Sequence, residues 1–191
     1  MRVEKYLFAL MAGLVMLFSA CQDDDSFTVS PQYTLSFSSD TIKLDTVFSR
    51  IPTATKTIWV YNRSGDGIRC SNIRLENGNQ TGFRVNVDGI FLGASTGFQT
   101  SGVEIPNKDS IRVFVELTSP NNMNETPTKL EDNLVFTLES GVQQKVNINA
   151  YTWDATILDS LHVKSDTTIS STKPIVIRGG IRVDSAATLT V

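Results

Sequence analysis

The chain has 191 residues, 40% of them hydrophobic and 19% charged, with a formal net charge of −3 and a mean hydropathy of −0.06. That balance suits a globular protein with room for one domain and part of a second. A mildly acidic chain with no basic run excludes nucleic acid as a partner, because displacing phosphate counterions takes clustered Lys and Arg.

Arg2 and Lys5 open the chain, the stretch from Leu7 to Phe18 is wholly apolar or Gly, and Ser19, Ala20 and Cys21 follow. As a helix the apolar run would span about 18 Å at 1.5 Å per residue, short of a bilayer core of about 30 Å. A basic start and a short apolar stretch ending in small residues read instead as an export signal over residues 1–20. Leu17-Phe18-Ser19-Ala20-Cys21 resembles the lipobox of bacterial lipoproteins, with Phe18 where Leu is usual. The resemblance implies cleavage before Cys21, a diacylglyceryl group on its sulfur and acylation of the new amine. At about 0.8 kcal/mol per buried CH₂, two or three acyl chains would keep the protein on a membrane. The alternative is an ordinary secretory signal with a Cys near its end.

Gln22 and the acidic run Asp23-Asp24-Asp25 come next, in a linker over residues 21–32 that contains Pro31. One reading is a solvated tether. In the other, a Cys followed by an acidic cluster is similar to the export signal of Bacteroidota surface lipoproteins. That resemblance implies a lipid-anchored protein in the outer leaflet of the outer membrane, exposed at the cell surface. With Cys21 taken by lipid, Cys70 has no partner for an intrachain disulfide, so a packed core must hold the fold. Cys70 follows Ile68 by two, which in a strand places both on one face, and the thiol reads as a small buried apolar group.

Residues 33–152 alternate with period two. Phe83, Val85 and Val87 oppose Arg84, Asn86 and Asp88, while Ile111, Val113, Val115 and Leu117 oppose Arg112, Phe114, Glu116 and Thr118. Leu134, Phe136 and Leu138 precede Ser140-Gly141, and Val146, Ile148 and Ala150 follow it, which marks a hairpin. Further strands are expected over 33–38, 41–48, 56–62 and 67–76, with turns at Gly65-Asp66-Gly67 and Asn77-Gly78. Ser119–Lys129, rich in Asn and Pro, reads as a loop. No segment after the export signal has helical periodicity. Seven or eight short strands, each with one apolar face, are best buried as two packed sheets, an immunoglobulin-like antiparallel β-sandwich. The pattern resembles bacterial sandwich domains of the Hydin and major-sperm-protein kind, in which a strand like Thr57–Tyr61 runs into an Asn and Gly turn, here Asn62 and Gly65.

After Trp153-Asp154 the runs become very short, with Thr, Gly and small polar residues at the bends. Such runs suit coils of a parallel β-solenoid, and Ile177–Val191 resembles the opening coil of a right-handed parallel β-helix. About one coil is too little to bury a continuous core. Residues 153–191 are therefore read as the start of a β-helix in a longer protein, or else as extra strands of the sandwich. The whole chain resembles the N-terminal part of Bacteroidota lipoproteins of unknown function that contain a β-helix.

Chemistry is sparse. The single histidine, His162, has no His or Cys companion, so neither a metal site nor a triad is expected, and no cofactor. Carboxylate pairs such as Glu131 with Asp132, or Asp154 with Asp159, read as solvated or turn residues. Exposed aromatics are a better lead. Trp59 and Tyr61 alternate with Ile58 and Val60, and Phe91, Phe98 and Phe114 sit on or near polar faces. They suit a glycan-binding surface, packing between sheets, or docking against a neighbouring domain or surface protein. Asp followed by Ser or Thr recurs at Thr41, Thr46, Ser110, Ser160, Thr167 and Ser185. The pattern is similar to the O-glycosylation acceptor of Bacteroidota exported proteins, and it is also turn chemistry leading into strands. The function expected is a non-catalytic surface module for adhesion, glycan contact or assembly. The alternative is the anchoring domain of a longer β-helix carbohydrate-active enzyme whose site lies beyond residue 191. A third expectation is a periplasm-facing assembly partner.

Overall fold

In the computed structural model the described residues are 26–78, 80–121, 123 and 125–191, so the export signal, Cys21 and Asp23–Asp25 lie outside them. The sandwich is built from β1 (Leu35–Phe37), β2 (Thr41–Phe48), β3 (Lys56–Asn62), β4 (Ile68–Leu75), β5 (Phe83–Val87), β6 (Ile90–Leu92), β7 (Gln99–Thr100), β8 (Val103–Ile105), β9 (Ser110–Leu117), β10 (Thr128–Leu138) and β11 (Gln143–Trp153). One sheet has the order β1-β3-β9-β5-β6; the other runs β2-β11-β10-β4-β7, with β8 also on β4. The strand order β1-β3-β9-β5 against β4-β10-β11 is the ABED and CFG division of an immunoglobulin-like sandwich.

Alternation decides which residues meet between the sheets. Ile58 and Val60 of β3, Val85 and Val87 of β5 and Val113 and Val115 of β9 face Cys70, Ile73, Phe136 and Ile148 of the other sheet in one buried cluster. Phe37 packs on Phe136 with ring centroids 5.1 Å apart. Burying each such side chain is worth roughly 1.5–3 kcal/mol. Cys70 is fully buried among them, and desolvation pushes its thiol pKa up to about 12.

Four details depart from the sequence reading. The sandwich is not wholly antiparallel: β2, the edge strand of the second sheet, pairs parallel with β11, with Asp45 in the left-handed region (φ 59°) where the register shifts. The Ser119–Lys129 loop is shorter, since β10 already begins at Thr128. The short strands β6, β7 and β8 were not anticipated. Asp88 (φ 49°) and Gly89 (φ 87°) make the two-residue turn between β5 and β6, an Asp-Gly hairpin signal. The linker, finally, is docked at Ser26–Thr28. Phe27 bridges to Gly67, where a Cβ would sit 2.5 Å from the Ser26 carbonyl oxygen, so only Gly fits.

Beyond the sandwich lie β12 (Thr156–Leu158), β13 (Leu161–Val163), β14 (Thr167–Thr168), β15 (Ile175–Ile177), β16 (Ile181–Val183) and β17 (Leu189–Thr190). They pair in parallel as three separate two-stranded sheets, β12 with β15, β13 with β16 and β14 with β17. The loop between β9 and β10 ties this segment to the sandwich. The Trp153 indole donates to the Glu125 carbonyl oxygen (2.9 Å), and the Thr172 hydroxyl donates to the Glu125 carboxylate (3.3 Å). Asp154 accepts from the Ser49 hydroxyl (2.6 Å) and the Met123 N–H (2.8 Å), with Lys173 Nζ at 3.7 Å.

Candidate functional site

Strands β3, β9 and β5 each send alternate side chains outward, and their registers place those side chains in rows. Trp59 lies opposite Arg112, Tyr61 opposite Ser110 and Thr57 opposite Phe114. On the far side of β9, Phe114 lies opposite Asn86 and Glu116 opposite Arg84, and Asn86 in turn faces Phe91. The outer face of the β1-β3-β9-β5-β6 sheet is thus an interleaved set of rings and guanidiniums.

The contacts are specific. Trp59 and Tyr61 stack with centroids 6.4 Å apart and planes 13° from parallel. Arg63 sits 4.4 Å over the Tyr61 ring, and Arg112 lies 5.2 Å from the Trp59 ring and 5.8 Å from Phe114. Arg84 is 5.7 Å from Phe91. Ring quadrupoles attract each cation with about 0.5–1 kcal/mol at exposed positions, enough to orient it without neutralising it. Trp59 is 39% exposed and Phe91 47%. Arg84, Asn86, Phe91, Phe114 and Glu116 rim a shallow depression of about 170 Å³. None of the three arginines forms an ion pair among the described residues. Two carboxylates lie beside them: Glu116, which accepts a hydrogen bond from the Thr55 hydroxyl (2.5 Å), and the exposed Asp88, whose N–H donates to the Arg112 carbonyl oxygen (2.9 Å).

This placement answers the sequence reading of the aromatics. Trp59, Phe91 and Phe114 point away from the opposite sheet, so packing between sheets does not account for them. Phe98 lies elsewhere, in the segment before β7, where its carbonyl accepts from the Leu75 N–H. The arginines were not singled out from the sequence, and the outward position of Arg84 and Arg112 opposite the apolar rows was the signal that could have found them.

Of the carboxylates read as solvated or turn residues, Glu131 and Asp159 are exposed, whereas Asp132 and Asp154 are buried. Asp132 is 1% exposed and accepts from the Asn133 N–H (2.7 Å), the Asn77 N–H (3.1 Å) and the Thr81 hydroxyl (3.2 Å). Asp154 is also buried, in the junction described above. Each is bonded to donors of a neighbouring loop, which makes it a brace and leaves it no open approach for a substrate. His162 pairs through Nε2 with Asp184 (2.8 Å) on the exposed surface of the β13–β16 pair. Among the described residues no three His, Cys, Asp or Glu side chains converge as a metal site would need.

Of the recurrent Asp-Ser/Thr sites, Thr46, Ser160 and Ser185 are exposed, whereas Thr41, Ser110 and Thr167 are half-buried. The Thr167 hydroxyl donates to the Ser165 carbonyl oxygen (2.7 Å). Thr41 and Thr46 share β2, and the other four are spread along the chain from β9 to the segment after β16.

No family model matches the chain, and no curated protein matches it in sequence. Among solved structures it is similar to a Porphyromonas gingivalis W83 protein of unknown function (14% identity, TM-score 0.41), covering 70% of this chain and 59% of that one. It is also similar to the ASH / PapD-like domain 7 of human CEP192 (8% identity, TM-score 0.38), covering 65% of this chain and 89% of that one. A third is WR4, a C. elegans MSP family member (10% identity, TM-score 0.36, 63% of this chain and 98% of that one). None of them lends this chain a function.

Proposed function

We propose that the chain is the N-terminal part of a lipid-anchored, surface-exposed protein of the outer membrane, and that its sandwich is a non-catalytic binding module. The observation that carries the binding role is the outer face of the β3-β9-β5 sheet, where exposed rings hold arginines that form no ion pair among the described residues. The anchor rests on the lipobox-like residues before Cys21, and the surface address on Asp23-Asp24-Asp25. Exposure supports Thr46, Ser160 and Ser185 as the O-glycosylation acceptors.

A second reading draws on the three parallel pairs. Thr156 lies opposite Ile175, Leu161 opposite Ile181 and Thr167 opposite Leu189, in the order expected of two successive coils of a solenoid. On that reading the sandwich anchors a longer parallel β-helix, whose further coils would carry a carbohydrate-active site beyond residue 191.

The decisive experiment combines mass spectrometry of the mature N-terminus with protease shaving of intact cells. An acylated Cys21, lost in Cys21→Ser, and degradation of the wild-type chain by external protease are the expected results. An unmodified terminus or full protection from protease would overturn the reading. For the longer enzyme, coils bearing clustered Asp, Lys, Arg or His in the continued reading frame are the expected finding, and a stop codon after Val191 removes it.

A further inference from the structure

We infer that the aromatic–arginine face binds an acidic polysaccharide, its rings lying under sugar rings and Arg84, Arg112 and Arg63 pairing with carboxylates along the chain. The inference rests on the proposed surface-exposed binding module and names its ligand. Three observations carry it.

The first is charge. The chain is acidic overall, yet this one face concentrates three guanidiniums without ion pairs among the described residues, against the two carboxylates Glu116 and Asp88. A guanidinium pairs a carboxylate in bidentate fashion more strongly than a neutral hydrogen bond can. A neutral glycan would leave that charge unused.

The second is preorganisation. Arg112 is held between the Trp59 and Phe114 rings, and Arg84 beside Phe91, so little side-chain freedom remains to be lost when a ligand arrives.

The third is the order of the groups, which favours a glycan over an acidic protein. The centre of a stable protein interface is dry, apolar and depleted of charge. Here guanidiniums lie among the rings, Arg112 opposite Trp59 and Arg84 beside Phe91, so a protein partner would have to desolvate them along with the aromatics, at high cost. A hydrated, ribbon-like polyanion leaves each guanidinium partly in water while it covers the flat rings. The depression between Phe91 and Phe114 gives one sugar unit a seat off the row.

The test is binding of the full chain, extracted from membranes in detergent, to polygalacturonate and alginate, with dextran as the neutral probe. Binding of both polyuronates but not dextran is expected. R84Q/R112Q should weaken it by about tenfold or more, W59A/F91A by a similar factor, and R69Q on the opposite sheet should leave it unchanged. Equal binding of dextran, equal loss in R69Q, or retention in both double variants would overturn the inference, as would binding of an acidic protein and of neither polyuronate. Circular dichroism of each variant separates lost binding from lost folding. Because the assay uses extracted protein, its failure is distinct from a failure of the surface assignment, which shaving alone decides.

Discussion

On the outer face of the β2-β11-β10-β4 sheet, Arg69 lies between Glu104 (2.6 Å) and Glu139 (3.2 Å), whereas on the other sheet Arg112 lies between Trp59 and Phe114. The contrast extends across both faces. On the first, Lys145 pairs with Glu76 (2.6 Å), Lys129 with Glu131 (2.9 Å), and Asn133, Asn147 and Asn149 link the carboxylates sideways. On the second, cations rest on rings. Exposed ion pairs are worth only about 0–1 kcal/mol each, so neither face is needed to drive folding. What differs is what is left for a partner: one face has satisfied its own charges, and the other has oriented them and left them open.

The largest expected effect lies where the self-satisfied sheet turns inward. Asp132 of β10 holds the segment after β4 through the Asn77 N–H and the Thr81 hydroxyl. Asp132→Ala would strand the buried Thr81 hydroxyl at about 1–3 kcal/mol and remove the partly buried bond from the Asn77 N–H, so a loss of roughly 3 kcal/mol is expected in urea denaturation. A loss below about 1 kcal/mol would show that the carboxylate does not brace that segment.

Cys70 tests the same sheet from inside. Its burial raises the thiol pKa from 9.0 to about 12, so the folded state keeps the thiol neutral. The stability this contributes is fully present below the unfolded value and is lost as pH rises toward about 12. At mildly alkaline pH, alkylation of Cys70 should therefore wait on opening of the sandwich and run about a hundredfold slower than in urea. Labelling at the unfolded rate would place Cys70 outside the core.

The sequence made the inside of this fold easier to read than its surface. Period-two rows such as Phe83-Val85-Val87 and Val113-Val115 depend only on neighbours along the chain, and they ended up buried as expected. The same period puts Asp132 in line with Leu134 and Phe136, so its burial was legible in principle; it was missed because a carboxylate was assumed to be wet. The contact of Arg112 with Trp59 was not legible, since it depends on the β3–β9 register. Nor was the parallel pairing of β2 with β11, which joins segments about a hundred residues apart. Residues 1–25, read as export signal and lipid anchor, lie outside the described residues.

A smaller effect separates the two faces by pH. A hydrogen bond from Lys145, then one from Asn133, lowers the Glu76 pKa below its usual 4.5, and Lys129 and Asn147 do the same for Glu131. Depressed folded-state values contribute stability above the unfolded pKa that is lost as pH falls through the folded one. Glu131 is exposed and Glu76 partly so, and salt should blunt the effect. Glu76→Gln should lose less stability than wild type between about pH 6 and about pH 3. Equal slopes would mean that the Lys145 pair does not persist in solution.

The smallest expected effect concerns the open face itself. If its arginines serve a ligand, removing them should cost the fold almost nothing. Arg84→Gln and Arg112→Gln delete only ring contacts at exposed positions, and each should shift unfolding free energy by no more than about 1 kcal/mol. The Arg112 variant is the sharper of the two, because its guanidinium touches two rings and would show any structural role first. Adding salt should stabilise the wild type slightly more than the double variant, since screening relieves repulsion among unpaired cations. On the opposite face the sign reverses: salt should weaken the Arg69 pairs, so wild type loses a little there that Arg69→Gln cannot lose. A double variant destabilised by about 2 kcal/mol or more would make the ladder a structural seam, and the contrast between the two faces would no longer be one of function.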